Sequence, residues 1–395
     1  MIIPRVGAAY LAPYGVGLGH ASRMIMLADQ LKNDGVKINF SSYGEATNFI
    51  SKRGYECIQV PPVEFAWTED GSFTIKHSLA NIPRWFFQFS KQINQEIRNM
   101  SAYEPNVIIS DSRLSPLIAA KLLGIPSIVI LNQVKLLLSP RIREFRIARL
   151  FESMTGELLG GFWDFADRIL VPDLPPPYTM SGHNVWDVSS TSSKIEYVGF
   201  TSPKFEINET KVEDTRKLLH FEQSKPLVFI HISGPLQTRL PLIRLCIEAS
   251  KYFDKKIQFV ISEGKPDGST EPRRIAESGW YYEWCPVRDE VFAMSDLVVM
   301  RGGHTALSQA LQFGKPVVTI PIEKHGEQLG NSEKIAEFGA GIMLHPKDLT
   351  AKQIADAVDK ALQDHSYKEN ARKMMGMAEN LNGIDNVAQI VRSYL

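Results

Sequence analysis

Residues Trp284 to Asn331 read W-C-P-V-R-D-E-V-F-A-M-S-D-L-V-V-M-R-G-G-H-T-A-L-S-Q-A-L-Q-F-G-K-P-V-V-T-I-P-I-E-K-H-G-E-Q-L-G-N. Leu297 to Met300 is a short apolar run, long enough for a buried parallel strand. Arg301-Gly302-Gly303-His304 follows directly, and Thr305 opens a helical pattern with Leu307, Ala310 and Leu311 on one face. A glycine pair between a strand end and a helix start lets backbone N–H groups come close to an anion. Gly314-Lys315-Pro316 stops the helix, and Val317 to Ile320 is the next buried strand. The loop Pro321 to Gln328 leaves that strand at its C-terminal end, the edge where open α/β sheets place their ligands. Two consecutive βα loops thus bring an anion-binding turn and a cluster of polar side chains to one edge.

The full length of 395 residues implies two domains or more. A hydrophobic share of 44% and a charged share of 22% are ordinary for a globular chain. Lys+Arg and Asp+Glu are 44 each, so no global charge bias points to nucleic acid as a partner. Cys57, Cys246 and Cys285 are odd in number and far apart, which argues against a disulfide framework and fits a reducing cytoplasm. No cysteine–histidine cluster has zinc spacing. Met1 to Ala12 lacks the basic start, long apolar core and cleavage site of a secretory signal, and reads as a first strand. No apolar run reaches the roughly 18 residues that a membrane-spanning helix needs.

Toward the N-terminus the spacing predicts a strand over Val6 to Ala12, the loop Pro13 to His20, and a helix over Ala21 to Lys32. Met24, Ile25, Leu27, Ala28 and Leu31 form the buried side of that helix. A dinucleotide site would accompany the loop glycines with an acid at the end of the second strand, but Lys37 to Ser41 ends in serines. Asn106 to Ser110, a helix over Ser115 to Leu123 and a strand over Ser127 to Leu131 form a βαβ unit, so the sheet is parallel. Asp111 and Asn132 fall at strand C-termini. Asp111 has three open roles: orienting His20, binding acceptor hydroxyls, or capping the next helix. Ile82 to Met100 places aromatic and aliphatic residues at helical spacing, and Lys135 to Arg149 sets one lysine and four arginines against Glu144 alone. Thr201 to Lys211 reads as a linker. Beyond it come a helix near Val212 to Leu219, a strand over Pro226 to Ile232 and the loop Ser233 to Arg239. Strands over Ile257 to Ser262 and Trp280 to Trp284 follow.

Trp284-Cys285-Pro286, the run Arg301 to Ala310, and Glu327-Gln328 with Asn331 resemble the donor-binding signature of GT-B glycosyltransferases of the UDP-glycosyltransferase and MurG-type group. The resemblance implies an α/β fold of two facing Rossmann-like domains with parallel sheets. It places the acceptor-side domain at 1–200, the linker and domain entry at 201–225 and the donor domain at 226–375. A helical tail at 376–395 crosses back to the first domain. The implied donor-binding residues are Gly234, Arg239, Trp284, Pro286, Arg301, Gly302, Gly303, His304, Thr305, Gln309, Glu327 and Gln328. The tryptophan supports the base, the glycine loop holds the diphosphate, and the closing acid–Gln pair binds sugar hydroxyls. Two positions depart: Gln309 stands where the family has its ribose-binding glutamate, and Val287 where it has a glutamine, which bears on nucleotide identity.

In the same group a glycine-rich loop ending in histidine is the acceptor-side motif. That makes Tyr14, Gly17, Gly19 and Asn132 acceptor-side residues. His20, with Asp111, is the catalytic candidate, either as general base or as a residue that holds the loop. The implied reaction moves a sugar, hexosyl or N-acetylhexosaminyl, from a nucleotide sugar with inversion. The donor is expected to be a UDP-sugar co-substrate. No Asp-x-Asp motif occurs, which agrees with a metal-independent reaction without further cofactor. The two unusual stretches raise a lipid-linked acceptor and an anionic membrane surface as partners, with the protein peripheral on the cytoplasmic face. Packing of the aromatic stripe into the core is the alternative. An epimerase on the same fold and a non-catalytic sugar-nucleotide sensor are the competing functions.

Overall fold

A computed structural model describes residues 7–16, 18–63, 75–135, 137, 143, 145–202, 207–265 and 267–395, without the side chains of 75–83 and 85. The chain forms two compact units. One holds the described residues of 1–67, 73–203 and 381–395, the other those of 204–380. The return to the first unit therefore begins at Leu381, five residues after the expected 376.

The first unit is built on β1 (Ala8–Pro13), β2 (Lys37–Ser42), β3 (Cys57–Gln59), β4 (Val107–Asp111), β5 (Ser127–Ile130), β6 (Arg168–Val171) and β7 (Ile195–Tyr197). They lie in the order β3-β2-β1-β4-β5-β6-β7, each pair parallel. The strand order reverses direction between β1 and β4, so the loops leaving these two strands flank the switch point. The helix Leu18–Asn33 lays Met24, Leu27, Ala28 and Leu31 on the sheet beside Leu11, Phe40 and Ile109. Val387, Ala388 and Val391 of the helix Gly383–Arg392 complete that core, and Asn386 Nδ2 donates to the Val198 carbonyl at 2.8 Å.

The second unit carries β8 (Leu227–His231), β9 (Gln258–Ser262), β10 (Arg273–Ala276), β11 (Gly279–Tyr282), β12 (Leu297–Met300), β13 (Val317–Thr319) and β14 (Gly341–Met343). The order is β10-β11-β9-β8-β12-β13-β14, parallel except for the β10–β11 pair. Here the switch point lies between β8 and β12. Val228, Ile230, Phe259, Ile261, Val299 and Val318 fill one layer of core with Ile354 and Val358 from the helix Ala351–Gln363. Strands buried on both faces read as continuous apolar runs, which is why β8, β9, β12 and β13 stand out in the sequence.

The helix Ile75–Tyr103 departs from its periodicity. Met100 is core, but Phe86 and Phe87 are exposed, and Ile82 and Trp85 have side chains outside those described. The face toward the sheet buries Gln92, Glu96 and Asn99 instead. Glu96 accepts from Tyr10 Oη at 2.5 Å and from Ser41 Oγ at 2.9 Å, and pairs with the Arg113 guanidinium. A buried polar network is tolerated because its members satisfy one another.

Candidate active-site residues

In the first unit the chemistry collects at the β1 and β4 loop ends. His20 sits in the first turn of the helix Leu18–Asn33, and Asp111 is the last residue of β4. His20 Nδ1 lies 2.8 Å from Asp111 Oδ1. A carboxylate only accepts, so this contact puts the proton on Nδ1 and leaves the Nε2 lone pair available. Asp111 is fully buried, whereas the His20 side chain is 24% exposed. Three residues on, Arg23 reaches back with Nε and Nη2 to both carboxylate oxygens in a fork. Its Nη2 also comes within 3.1 Å of His20 Nδ1. Burial alone would raise the Asp111 carboxyl, but the Arg23 guanidinium and His20 outweigh it and hold the carboxyl well below the usual carboxylate range.

Of the open roles for Asp111, orienting His20 is the one its geometry fits. It is too buried to meet an acceptor, and the N-cap of the helix Ser115–Leu123 is Leu114. Tyr14 stands edge-on to His20, with ring centroids 5.7 Å apart, and edge-on to Tyr43 at 5.8 Å. Gly19 lies beside His20 in the same helical turn. Asn132 is buried just beyond β5. Gly17 lies outside the described residues.

In the second unit the loops after β8, β12 and β13 converge around the switch point. Gly303 is the N-cap of the helix His304–Gln312, with open space where a Cβ would stand. The N–H groups of the first helical turn have no intrahelical partner and lie at the positive end of the helix dipole. Gly302 has a different duty. A Cβ there would collide with the Gln328 carbonyl oxygen and the Ser332 hydroxyl. The helix Gly326–Glu337 packs directly on this backbone, and Asn331 Nδ2 fixes the Gly302 carbonyl at 3.1 Å. Gly234, in the loop after β8, has φ +114, a region that only glycine enters readily.

Two arginines of the expected donor set are held by backbone. The Arg301 guanidinium is buried and donates to backbone carbonyls: Ile320 at 3.1 Å, Pro321 at 3.3 Å and Thr238 at 2.7 Å. It ties the chain leaving β12 to the chain leaving β13 and to the first turn of the helix Leu236–Ala249. Burial pushes its pKa down to about 10, so it remains a cation at neutral pH. Arg239 acts similarly, donating to the carbonyls of Gly234 at 3.4 Å and Gly264 at 3.2 Å, with Glu263 3.7 Å away.

The remaining candidates cluster nearby in sequence and fold. Trp284 is 39% exposed and follows β11, which ends at Tyr282 rather than at the expected Trp284; Pro286 is also exposed. His304 and Gln309 are buried in the helix His304–Gln312, with Thr305 half-buried beside them. Glu327 and Gln328 occupy the first turn of the helix Gly326–Glu337, capped by His325. Gln328 Oε1 accepts from the Ile322 N–H at 3.0 Å, leaving its amide N–H groups as donors. Among the described residues no three His, Cys, Asp or Glu side chains group as a metal site.

The basic stretch Lys135 to Arg149 is mixed, with Arg146 and Arg149 exposed. Lys135 is buried, its pKa lowered chiefly by that burial, and Arg143 Nε pairs with Glu152 at 3.3 Å. Residues 136, 138–142 and 144 lie outside the described set. Sequence reading missed Arg23. The signal available was its position three residues after His20, which puts both on one helix face.

Residues 237–387 match the glycosyltransferase family 28 C-terminal domain. An uncharacterised glycosyltransferase of Methanosarcina mazei is 26% identical over 378 residues, 95% of this chain and 96% of its own length. CalG4, the calicheamicin glycosyltransferase, superposes with a TM-score of 0.70 at 16% identity, covering 99% of this chain and 98% of that one. The spinosyn rhamnosyltransferase SpnG complexed with thymidine diphosphate gives 0.65 at 17% identity, covering 98% and 99%. The fold is GT-B.

Proposed function

We propose that this chain is a glycosyltransferase that transfers a sugar from a nucleoside diphosphate sugar with inversion, using His20 as general base; the family 28 C-terminal match and the GT-B fold support that reading. The carrying observation is the Nδ1 contact of His20 with buried Asp111 at 2.8 Å. It orients the imidazole so that Nε2 can take the proton of an acceptor hydroxyl as that oxygen attacks the anomeric carbon. The bond from that carbon to the diphosphate breaks on the opposite side, and negative charge grows on the leaving group. The first-turn N–H groups of the helix His304–Gln312 and the Gly234 loop are the donors suited to that charge, with cationic Arg239 and Arg301 behind them. The exposed Trp284 ring suits the base, and Glu327 with the Gln328 amide suits the sugar hydroxyls.

A uridine diphosphate sugar, hexosyl or N-acetylhexosaminyl, is the donor we infer, with a thymidine diphosphate sugar as the alternative that neutral Gln309 leaves accessible. The acceptor we propose is lipid-linked. A thermal-shift panel of nucleoside diphosphate sugars tests the donor side, since a ligand that binds only the native state raises Tm. A donor that raises Tm by several degrees and yields free diphosphate only with an acceptor pool is the expected result. Release of an altered free sugar without acceptor would instead mark an epimerase.

A further inference from the structure

The helix Arg146–Trp163 is mounted with its apolar face outward. Its buried residues are Glu152, Gly156 and Gly160. A Cβ on Gly160 would collide with Ser190 and Val188, and one on Gly156 would meet the Lys135 side chain at 3.1 Å, so small residues seat this helix on the first unit. The large apolar side chains point away. Ile147 is 83% exposed and Met154 65%, and Leu150, Phe151, Leu158 and Phe162 are exposed with them. At about 100° per residue they share an arc of roughly 120°. They extend roughly 22 Å along the axis at 1.5 Å per residue. Phe165, edge-on to Phe162, prolongs the stripe at its C-terminal end. A contiguous apolar surface of this length marks an interaction site, since scattered exposed side chains do not line up.

Charge decides what covers it. Arg146 and Arg149 are exposed at the N-terminal end of the stripe, next to Arg143. Glu157, the acid on its flank, accepts from the Ser189 N–H at 2.6 Å and the Ser190 N–H at 3.1 Å, and those bonds hold its carboxyl below the usual range. A second copy of this chain would bring the same arginines and the same engaged acid. Anionic lipid headgroups would meet the arginines while the stripe enters the acyl boundary.

We propose that the outward face of the helix Arg146–Trp163 docks in the plane of an anionic membrane surface. The inference deepens the lipid-linked acceptor reading above and rests on it for its purpose, though not for its test. Flotation with phosphatidylcholine vesicles, with and without phosphatidylglycerol, at low and high salt is the experiment. The full chain should float with phosphatidylglycerol vesicles at low salt. Arg146→Gln with Arg149→Gln should weaken this by about fivefold per arginine. Ile147→Ser, Leu150→Ser and Met154→Ser together should weaken it at least about tenfold at either salt. All five residues are exposed, and the donor-induced Tm shift should be unchanged in both variants, which shows that they fold. No flotation at low salt, or a serine variant that floats like the parent, overturns the proposal. So does a dimer in light scattering that the serine variant abolishes, because the occupant is then a second copy. Flotation that persists in a protein no donor stabilises supports the docking face and counts only against the transfer reading.

Discussion

The loop clusters at the two switch points solve different problems with different atoms. In the first unit the chemistry sits in side chains: His20, Asp111 and Arg23 are cross-linked within hydrogen-bond distance, and the carboxylate has no access to water. In the second unit the candidate anion site is backbone, a helix N-terminus beside Gly302 and Gly303, strapped from behind by Arg301 and Asn331. A site that moves a proton needs a titratable group held in one tautomer. A site that holds a diphosphate needs fixed dipoles that do not reorganise as charge develops. Substitutions should therefore separate cleanly into losses of rate in the first unit and losses of affinity or stability in the second.

The largest effect belongs to His20→Ala. Turnover should fall by about two to four orders of magnitude, while the donor-induced Tm shift stays within error of the parent. Steady-state kinetics beside a thermal shift on the same preparation check it, and near-normal turnover would return His20 to holding the loop. Arg23→Ala comes next, at about tenfold to a hundredfold in kcat, the equivalent of one charge-assisted hydrogen bond of about 1.5–3 kcal/mol. KM should stay near that of the parent, because Arg23 acts on the Asp111 carboxylate. Arg23→Lys should restore part of the rate. An Arg23→Lys variant no faster than Arg23→Ala would reduce Arg23 to packing.

On the other side of the comparison, Gly302→Ala should cost about 1–3 kcal/mol of stability, because the added methyl collides with the Gln328 carbonyl and the Ser332 hydroxyl. Denaturant unfolding should show it, together with weaker diphosphate binding. Gly303→Ala, placed in open space, should unfold like the parent, and equal losses in both variants would sink this assignment. The smallest effect is expected of Gln309→Glu, a shift of about fivefold in preference among uridine, thymidine and guanosine diphosphates, since a carboxylate cannot donate as the amide can. An unchanged ranking would remove Gln309 from nucleotide selection.

How much of this was legible in the sequence depended on the kind of signal. β8, β9, β12 and β13 announce themselves because strands buried on both faces are apolar throughout, and the Gly302-Gly303 turn because glycine between strand and helix has few other reasons to be there. The proximity of His20 and Asp111 is a tertiary fact, legible only once the strand order puts β1 beside β4. The carbonyl contacts of Arg301 were not legible, because they depend on how the loops fold over its guanidinium. Periodicity located the helix Ile75–Tyr103 but not the glutamine, glutamate and asparagine it buries toward the sheet, and the helix Arg146–Trp163, which hides glycines and presents leucine and phenylalanine outward, went unread. An amphipathic pattern identifies a helix and its two faces, but not which face looks inward.

Leu381 to Leu395 belong to the first unit, and Val387, Ala388 and Val391 are part of its core. The first unit is therefore assembled from stretches of chain that lie on either side of the second unit in sequence. While the chain is being synthesised, the strands Ala8–Pro13 and Val107–Asp111 emerge first, but the helix that closes over them follows only after the entire second unit. The core face that this helix covers stays open through that interval. A nonsense codon near position 381 would leave the second unit intact and unseal the one that was made first.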